Sequence, residues 1–257
     1  MLICPIYSGS GLGNQLHNII TTKCLALDHG YDFVVAFPEQ FKGTFFKNLE
    51  LPEVKGLEVA VEGQTPTKLP AGMSYYHETS SDYDDFVLNI PDNYVLHGNL
   101  QGEEYFKKYK KQIRHWLAVE PLDMPDNLCI CNFRGGEYSG VPDFFLPQSY
   151  WDNAMTNMLK INPQMEFEIH TDDPITAKRF FPDFECIHDM EFNWRSIRFA
   201  KYIILSNSSF GWFPAWLGNA KLIIAPEHWG RHNRGYWYLQ QNQTEKFTYQ
   251  NREGVLL

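Results

Sequence analysis

Short apolar runs typical of buried strands alternate with amphipathic stretches of helical period along much of the chain. The alternation is regular in the second half, where strands are predicted at 127–133, 165–171, 201–206 and 220–226, with helices at 147–161 and from 172 onwards. In the first half, strands are predicted at 2–7, 32–37 and 94–100. Strands that alternate with helices indicate parallel sheets wound from βα units, so we predict an α/β fold.

A boundary between two halves is predicted at 118–127, a segment with two prolines and few apolar side chains. The predicted units are therefore 1–120 and 121–257, each long enough to form a core. Residues 39–95 show no clear period, and 103–116 is predicted to be a helix whose lysines form a solvated face.

Composition mainly excludes classes of function. A net charge of −9 and the lack of a long basic run argue against nucleic-acid binding through a broad phosphate-neutralising face. Neither the five cysteines nor the histidines and acidic pairs have metal-ligand spacing, so no metal and no cofactor is expected. The 16% of aromatic residues fits either rings that stack on sugars or bases, or an aromatic core.

The location expected for this protein is the cytosol, or at most the inner face of a membrane. The first residues lack the charged and apolar regions of a secretory signal. No apolar run has the length of a membrane span, so no transmembrane segment is predicted.

Polar clusters follow four of the predicted strands, at 9–15, 134–138, 171–174 and 206–209. In a parallel sheet, ligands bind beyond the carboxyl ends of the strands, where helix N-termini present free N–H groups. Four strand ends with such groups are better evidence than any one of them. The sequence therefore predicts a site for a polar ligand.

Ser206, Asn207, Ser208 and Ser209 stand where a buried strand turns into an aromatic helix. One interpretation is that they cap the free N–H groups of the helix. A cap needs one residue, however, and here there are four. N–H groups surrounded by hydroxyls also form a cradle for a diphosphate, which is the interpretation we favour.

Arg134 comes directly after a predicted strand and is followed by two glycines. A guanidinium there can bind phosphate oxygens in a planar, bidentate manner, and the alternative is a structural ion pair with an acidic neighbour. Glu137 suits either a general base, if its site raises its pKa, or a solvated loop carboxylate.

Asp172 and Asp173 precede Pro174. The second aspartate is a plausible N-cap for the helix that follows. The functional alternative is that one carboxylate accepts two N–H groups from a purine such as guanine.

The first loop contains three glycines, Gly9, Gly11 and Gly13, which permit a left-handed backbone and close approach of a ligand. Asn14 stands where a dinucleotide-binding fingerprint has its third glycine. An NAD-dependent oxidoreductase is therefore only a weak alternative.

Taken together, these segments resemble the α-1,2-fucosyltransferase family, within the fucosyltransferases that carry an HxRRGD-type motif. The resemblance is carried by SGLGNQLHN (10–18), GNLQGEEYF (98–106), NFRGGEY (132–138), HTDDP (170–174), SNSSFGWFPAWL (206–217) and IIAPEHW (223–229). The matches keep the family's order and span nearly the whole chain.

The resemblance implies a GT-B-like architecture, with two Rossmann-like halves whose parallel sheets face a central cleft. Residues 1–120 would lie on the acceptor side and 121–257 on the donor side. It also implies an inverting, metal-independent enzyme that moves L-fucose from GDP-β-L-fucose to a hydroxyl of a glycan or saccharide.

The same resemblance implies roles for individual residues. Arg134 is expected to hold the diphosphate and stabilise the leaving GDP, and Glu137 is the second candidate catalytic residue. The residues expected to bind the donor are Gly11, Gly13, Asn14, Gln15, Asn132, Asp172, Asp173, Ser206, Asn207, Ser208, Ser209 and Phe210.

Three positions depart from the family's motif. Asn132 replaces its histidine, Gly135 its second arginine and Glu137 its aspartate. Two alternatives therefore stay open: transfer from another GDP-deoxyhexose, and an inactive relative that binds a nucleotide sugar or a carbohydrate.

Overall fold

The structure, a computed structural model, describes residues 1–7, 9–54, 60–62, 65–78, 83–227, 229 and 243–257. The described residues form two compact units, the first ending at Val119 and the second beginning at Glu120. The main sheet of each unit is parallel, as the alternation of strands and helices predicts.

The first unit contains a four-stranded sheet in the order β2-β1-β6-β5 and a separate antiparallel pair, β3 and β4. Its elements are β1 (Leu2–Pro5), α1 (Leu12–His29), β2 (Phe33–Ala36), β3 (Ala60–Glu62), β4 (Thr65–Lys68), β5 (Ser74–His77), α2 (Asp85–Leu88), β6 (Tyr94–His97) and α3 (Lys110–Trp116). Helix α1 ends at Gly30, whose φ of 68° lies in the left-handed region that favours glycine.

The lysine-rich segment is not the single helix that the sequence predicted. Two 3₁₀ turns, Glu103–Tyr105 and Lys107–Tyr109, precede α3. Phe106, between them, has φ −141° and ψ −6°, which interrupts the helix. The interruption accompanies burial of the aromatic rings of both Tyr105 and Phe106.

The second unit is built on a six-stranded parallel sheet in the order β12-β11-β10-β7-β8-β9. Its elements are β7 (Leu128–Phe133), α4 (Gln148–Ile161), β8 (Glu166–Thr171), α5 (Pro174–Phe180), β9 (Cys186–Ile187), α6 (Met190–Phe199), β10 (Tyr202–Leu205), α7 (Ser209–Leu217), β11 (Leu222–Pro226) and β12 (Thr248–Gln250). Helices α4 and α5 pack on one face of this sheet, where Trp151, Phe133 and Phe181 form an aromatic core.

Each unit has one point where the order of strands reverses. In the second unit, β8 and β9 extend the sheet from one side of β7, and β10 to β12 extend it from the other side. In the first unit, β2 lies on one side of β1, and β6 and β5 lie on the other. Ligands of parallel sheets bind at such switch points, beyond the carboxyl ends of the two strands. The strand order therefore predicts ligand sites at the carboxyl ends of β7 and β10 in the second unit and of β1 and β6 in the first.

The cysteines are free thiols, and four of them, Cys4, Cys24, Cys129 and Cys131, are buried. Burial raises the pKa of the Cys4, Cys24 and Cys129 thiols. Cys129 and Cys131 belong to one core cluster, as their spacing of two on a strand predicts. No helix among the described residues is long and apolar enough to span a bilayer.

Candidate functional site

The predicted polar clusters of the second unit begin at three adjacent strand ends. In the register of the sheet, Leu205 of β10 pairs with Asn132 of β7, and Phe133 of β7 pairs with Thr171 of β8. Because β7 is the middle strand, the loop that starts at Arg134 lies between the other two loops at this edge. The structure thus brings three of the four predicted clusters to the carboxyl edge of one sheet.

Arg134 lies between two carboxylates of this edge. Its Nη1 is 2.6 Å from Oδ2 of Asp172, and its Nη2 is 3.1 Å from Oε1 of Glu137. The guanidinium also lies over the ring of Tyr138, at 5.4 Å from the ring centroid. Its buried Nε has no hydrogen-bond partner among the described residues. The ion-pair interpretation of Arg134 therefore holds, and the side chain, 28% exposed, remains accessible to an anion.

Both carboxylate oxygens of Asp172, which follows β8, contact the loop that follows β7. Oδ1 accepts a hydrogen bond from the backbone N–H of Gly135 at 2.9 Å, and Oδ2 pairs with Arg134. A Cβ on Gly136, whose φ is +31°, would stand 2.4 Å from Oδ2. A side chain at either glycine would crowd this aspartate pair, since a Cβ on Gly135 would stand 2.8 Å from Cβ of Asp173. This packing gives a physical reason for a glycine where the resembled family has its second arginine.

Asp173 is the N-cap of α5. Its Oδ1 accepts from the backbone N–H of Thr176 at 3.0 Å, and its Oδ2 accepts from the Thr176 hydroxyl at 2.5 Å. These hydrogen bonds from Thr176, the side-chain one first, lower the pKa of the carboxyl below its usual value. The capping interpretation is thus realised, and binding of a purine by Asp172 or Asp173 stays a prediction.

Asn132 lies beneath the first turn of α7. A Cβ on Gly211 would stand 2.6 Å from Oδ1 of Asn132, so only a glycine lets the helix approach this closely. The Asn132 side chain is 5% exposed, and its Oδ1 has no hydrogen-bond partner within the described part of the chain. An unpaired buried acceptor is costly unless a ligand or water supplies a donor.

Residues 206–209 include one helix cap and two buried side-chain oxygens without a hydrogen-bond partner among the described residues. Ser208 is the N-cap of α7, and its Oγ accepts from the backbone N–H of Phe210 at 3.4 Å. Asn207 donates its amide to the carbonyl of Phe144 at 2.9 Å. The Oγ of Ser206 and the Oδ1 of Asn207 are buried and have no partner among the residues that the structure describes. Ser209 is the first residue of α7.

The aromatic ring of Phe210 contacts the neighbouring helix α6 of the second unit. Its centroid lies 6.0 Å from that of Trp194 on α6, in an edge-on arrangement. Phe210 is half-buried, and α6 and α7 pack side by side. Its expected role towards a donor stays a prediction.

The glycine-rich loop belongs to the first unit, at the carboxyl end of β1. Gly11 is the N-cap of α1 with φ −68°, so the left-handed backbone that a glycine permits is not used at this position. Gly13 lies in the first turn of α1. No described atom outside the immediate chain lies within 4 Å of a Cβ built on Gly9 or Gly11, so the space beside this loop is open.

Gln15 holds loops of the first unit together. Its Nε2 donates to the carbonyls of Tyr7 and Gln40 at 3.2 and 2.9 Å, and its Oε1 accepts from the backbone N–H of Lys42 at 3.0 Å. The side chain is 3% exposed. Asn14 accepts a hydrogen bond from Gln101 at 2.9 Å. These contacts explain both residues structurally, and donor binding by Asn14 and Gln15 stays a prediction.

The first unit contains a cluster of rings that the sequence pattern does not predict. Tyr75 and His77 on β5 and His97 on β6 contact one another near the carboxyl ends of these strands. The sequence gave little sign of them, because β5 lies in the stretch without a clear period and the histidines stand 20 residues apart. Only the pairing of β5 with β6 brings them together.

The described residues contain no group of three or more His, Cys, Asp or Glu side chains placed to hold a metal ion. The groups available at the second unit's edge are a guanidinium, hydroxyls and the N–H groups at the start of α7. Such groups stabilise negative charge.

Comparison with known proteins finds similarity in fold. The structure of E. coli heptosyltransferase WaaC with ADP matches with a TM-score of 0.51 at 12% identity, covering 98% of this chain and 93% of that chain. The bacterial iron-containing dodecameric glycosyltransferase TibC from enterotoxigenic E. coli H10407 gives a TM-score of 0.41 at 11% identity, covering 93% and 61%. No family model matches the chain, and no curated protein matches it.

The prediction of an α/β, GT-B-like fold is confirmed by the match to the heptosyltransferase structure. At 12% identity this match shows the fold alone, and at its lower TM-score the second match carries no argument. The resemblance to α-1,2-fucosyltransferases stays a prediction.

Proposed function

We propose that this protein is a glycosyltransferase that uses a nucleoside-diphosphate sugar. The observation that carries the proposal is the position of Arg134, directly after the end of β7. The neighbouring strand, β10, leads into the capped N-terminus of helix α7. This is the switch point of the second sheet, where parallel α/β units bind nucleotides. The GT-B-like fold supports the same assignment.

In this proposal the second unit stabilises the leaving diphosphate. Charge builds on the phosphate oxygens as the bond to the sugar breaks, and a guanidinium with fixed N–H donors stabilises that charge. The unpaired acceptors Asn132 Oδ1, Ser206 Oγ and Asn207 Oδ1 suit donors such as ligand hydroxyl or amino groups. The transition state is oxocarbenium-like, the reaction inverts the anomeric centre, and Arg134 with the N–H groups replaces a metal.

The donor we propose is a GDP-6-deoxyhexose, with L-fucose as the first choice. Support comes from the motif resemblance, above all SGLGNQ and SNSSF. Asp172 and Asp173 enter the proposal mainly as residues that fix Arg134 and the start of α5, because their oxygens already accept hydrogen bonds within the protein. The acceptor is a saccharide hydroxyl, and the protein acts in the cytosol.

Thermal unfolding with GDP tests this proposal. GDP at about 100 times its Kd should stabilise the protein by about 2.7 kcal/mol, with EDTA present as well as with Mg²⁺. Arg134→Ala should weaken GDP binding about ten- to a hundredfold, since a charged hydrogen bond contributes about 1.5–3 kcal/mol. Arg114→Ala, which removes an exposed arginine from α3, is the matched control. Unchanged melting with GDP would refute the proposal.

Release of GDP from a panel of GDP-sugars then identifies the donor. If GDP-L-fucose is the only donor that turns over, the donor sugar is fucose. If another GDP-deoxyhexose turns over in its place, that sugar is the donor. GDP binding without turnover of any donor would support the inactive relative instead. NMR of the product's anomeric signal checks inversion.

A further inference from the structure

A small pocket lies at the carboxyl edge of the second unit's sheet, beside the start of α7. Asn207 follows β10, Pro226 is the last residue of β11, and Gln250 is the last residue of β12. All three line the pocket, together with Leu146 from the loop that follows β7. We call the pocket that these four residues line the Asn207 pocket.

The size of the Asn207 pocket limits what can enter it. Its empty volume is about 240 Å³, which includes the part that opens to solvent. The inner part admits a group about the size of one water molecule. A whole sugar ring or base is larger than that, so the pocket suits a single polar group of a ligand that lies across its mouth.

Asn207 offers such a group a hydrogen-bond acceptor. Its Nδ2 donates to the carbonyl of Phe144 at 2.9 Å, which fixes the orientation of the amide and places the acceptor on Oδ1. The side chain is 3% exposed, and Oδ1 has no hydrogen-bond partner among the described residues. An unpaired buried acceptor is costly, so this oxygen indicates a donor that comes from outside the protein.

Two other buried side chains of the pocket are paired within the protein. The Tyr150 hydroxyl donates to the carbonyl of Leu205 at 2.7 Å. Gln250 donates to the carbonyl of Tyr150 at 2.9 Å and accepts from Asn157 at 3.1 Å. These contacts hold the walls of the pocket in place. Of the three side chains, Asn207 is the one whose buried oxygen lacks a partner within the described part of the chain.

The charged residues of the lining do not turn the pocket into a phosphate site. Glu227 and Arg252 line it with opposite charges. Nη2 of Arg252 donates to the carbonyls of Pro142 and Phe145 at 3.1 and 2.8 Å, and so holds the loop that follows β7. A phosphate oxygen is an acceptor, and the amide oxygen of an asparagine can pair only with a donor. The pocket therefore suits a hydroxyl or an amino group.

The Asn207 pocket adjoins the place where we propose the diphosphate binds. Ser208, the next residue, is the N-cap of α7. The loop that begins at Arg134 reaches the pocket through Phe144 and Leu146. Each phosphate of a nucleotide sugar is bonded to a sugar, either the ribose or the transferred sugar, and the base lies one ring further away. The group beside the diphosphate is therefore a sugar hydroxyl.

We propose that the Asn207 pocket binds one sugar hydroxyl of the nucleotide sugar, which donates to Oδ1 of Asn207. The inference rests on the proposed function and concerns the second unit alone. The ribose and the transferred sugar share this chemistry, and the experiment distinguishes them. Asn207 is then a residue that selects ligands with a hydroxyl at one position.

Isothermal titration calorimetry with matched ligands tests the proposal. GDP is compared with 2′-deoxy-GDP and 3′-deoxy-GDP, and GDP-L-fucose with analogues in which fluorine replaces one fucose hydroxyl, because neither hydrogen nor fluorine can donate. Wild type should bind the ligand without the recognised hydroxyl about three- to tenfold more weakly, the effect of one uncharged hydrogen bond. In Asn207→Ala this ratio of affinities should fall to about 1, because the two losses are not additive.

The ratio also separates recognition from a structural role. If Asn207 only held the carbonyl of Phe144, Asn207→Ala would weaken every ligand equally and leave the ratio unchanged. Asn127→Ala is the matched control, since Asn127 also donates to a backbone carbonyl, that of Gln164 at 3.0 Å, at the opposite end of β7. Arg134→Ala should weaken all the ligands by one factor and keep the ratio. If Asn207→Ala does not fold by circular dichroism, Asn207→Ser replaces it.

Each outcome decides the inference. A ratio that is lost in Asn207→Ala for the deoxy-GDP series assigns the pocket to the ribose, and one that is lost for the fluorinated series assigns it to the transferred sugar. Equal binding of all the ligands by wild type, or a ratio that persists in Asn207→Ala, overturns the inference and leaves the transferase intact. A ratio that depends on Asn207 only between GDP and IDP, which lacks the amino group of guanine, also overturns it. Wild type that binds no GDP overturns both proposals.

Discussion

At the scale of single residues, the two carboxylates that hold Arg134 differ in exposure. Asp172 is 29% exposed and pairs with the guanidinium at 2.6 Å, whereas Glu137 is 62% exposed and pairs at 3.1 Å. An exposed pair contributes about 0–1 kcal/mol, so an incoming phosphate can displace Glu137 at little cost. Asp172 also holds the backbone N–H of Gly135 and should stay in place.

Glu137→Gln should therefore strengthen GDP binding about 1.5- to 5-fold, because it removes a competing charge worth about 0.2–1 kcal/mol. Isothermal titration calorimetry at low salt measures the change. Glu166→Gln, at the opposite end of β8, is the control and should leave the affinity unaltered. Weaker binding in Glu137→Gln would show that the carboxylate takes part in holding the nucleotide.

The sequence allowed both interpretations of each charged residue at this edge, and it could not choose between them. Whether Arg134 forms an ion pair depends on Asp172, 38 residues later, and thus on the pairing of β7 with β8. The cap on α5 is different, since Asp173 and Thr176 are neighbours along the chain. Hydrogen bonds between neighbours along the chain could be predicted from the sequence, whereas contacts between residues on different strands could not.

At the scale of elements, the N-cap of α5 makes a local contribution to stability. Asp173→Ala should lower the free energy of unfolding by about 1 kcal/mol, the usual cost of a lost cap. Because hydrogen bonds lower the pKa of this carboxyl in the folded state, its ionised form is the stabilising one. The contribution is complete above the unfolded pKa, near about 4, and disappears as the pH falls through the folded value.

Urea unfolding of wild type and Asp173→Ala at neutral and acidic pH measures this difference. The gap between the two proteins should close at acidic pH. Asp183→Ala, an exposed aspartate beyond the helix, should show no gap at either pH. A gap that is independent of pH would mean that the cap stabilises α5 without its charge.

Elements with strong periodicity were predicted well, because β7, α4, β8, β10 and β11 are each bounded by turn residues and carry one clear period. Elements without such signals were missed. Helix α6 lies in a polar segment, and β9 and β12 have only two and three residues. Phe106 interrupts a helical pattern through its backbone conformation, which periodicity does not reveal.

At the scale of the whole molecule, the order of strands decides where ligands bind, and this order is not a local property of the sequence. The polar clusters after each strand were visible in the chain. Which clusters lie side by side was not visible, because β10 follows β9 in the chain but pairs with β7 on the side opposite β8. The contacts among Tyr75, His77 and His97 depend on the same kind of long-range pairing, between β5 and β6.

The rate at which the buried thiols are alkylated should report on local and global unfolding of each unit. Cys4 and Cys24 lie in the core of the first unit, and Cys129 and Cys131 in that of the second. Alkylating reagents react with thiolates, so labelling of these positions should wait for local or global opening. Mass spectrometry after timed alkylation of a Cys186→Ser variant would then follow each unit separately. A nucleotide bound to the second unit should slow its two cysteines, and equal rates with and without GDP would contradict that.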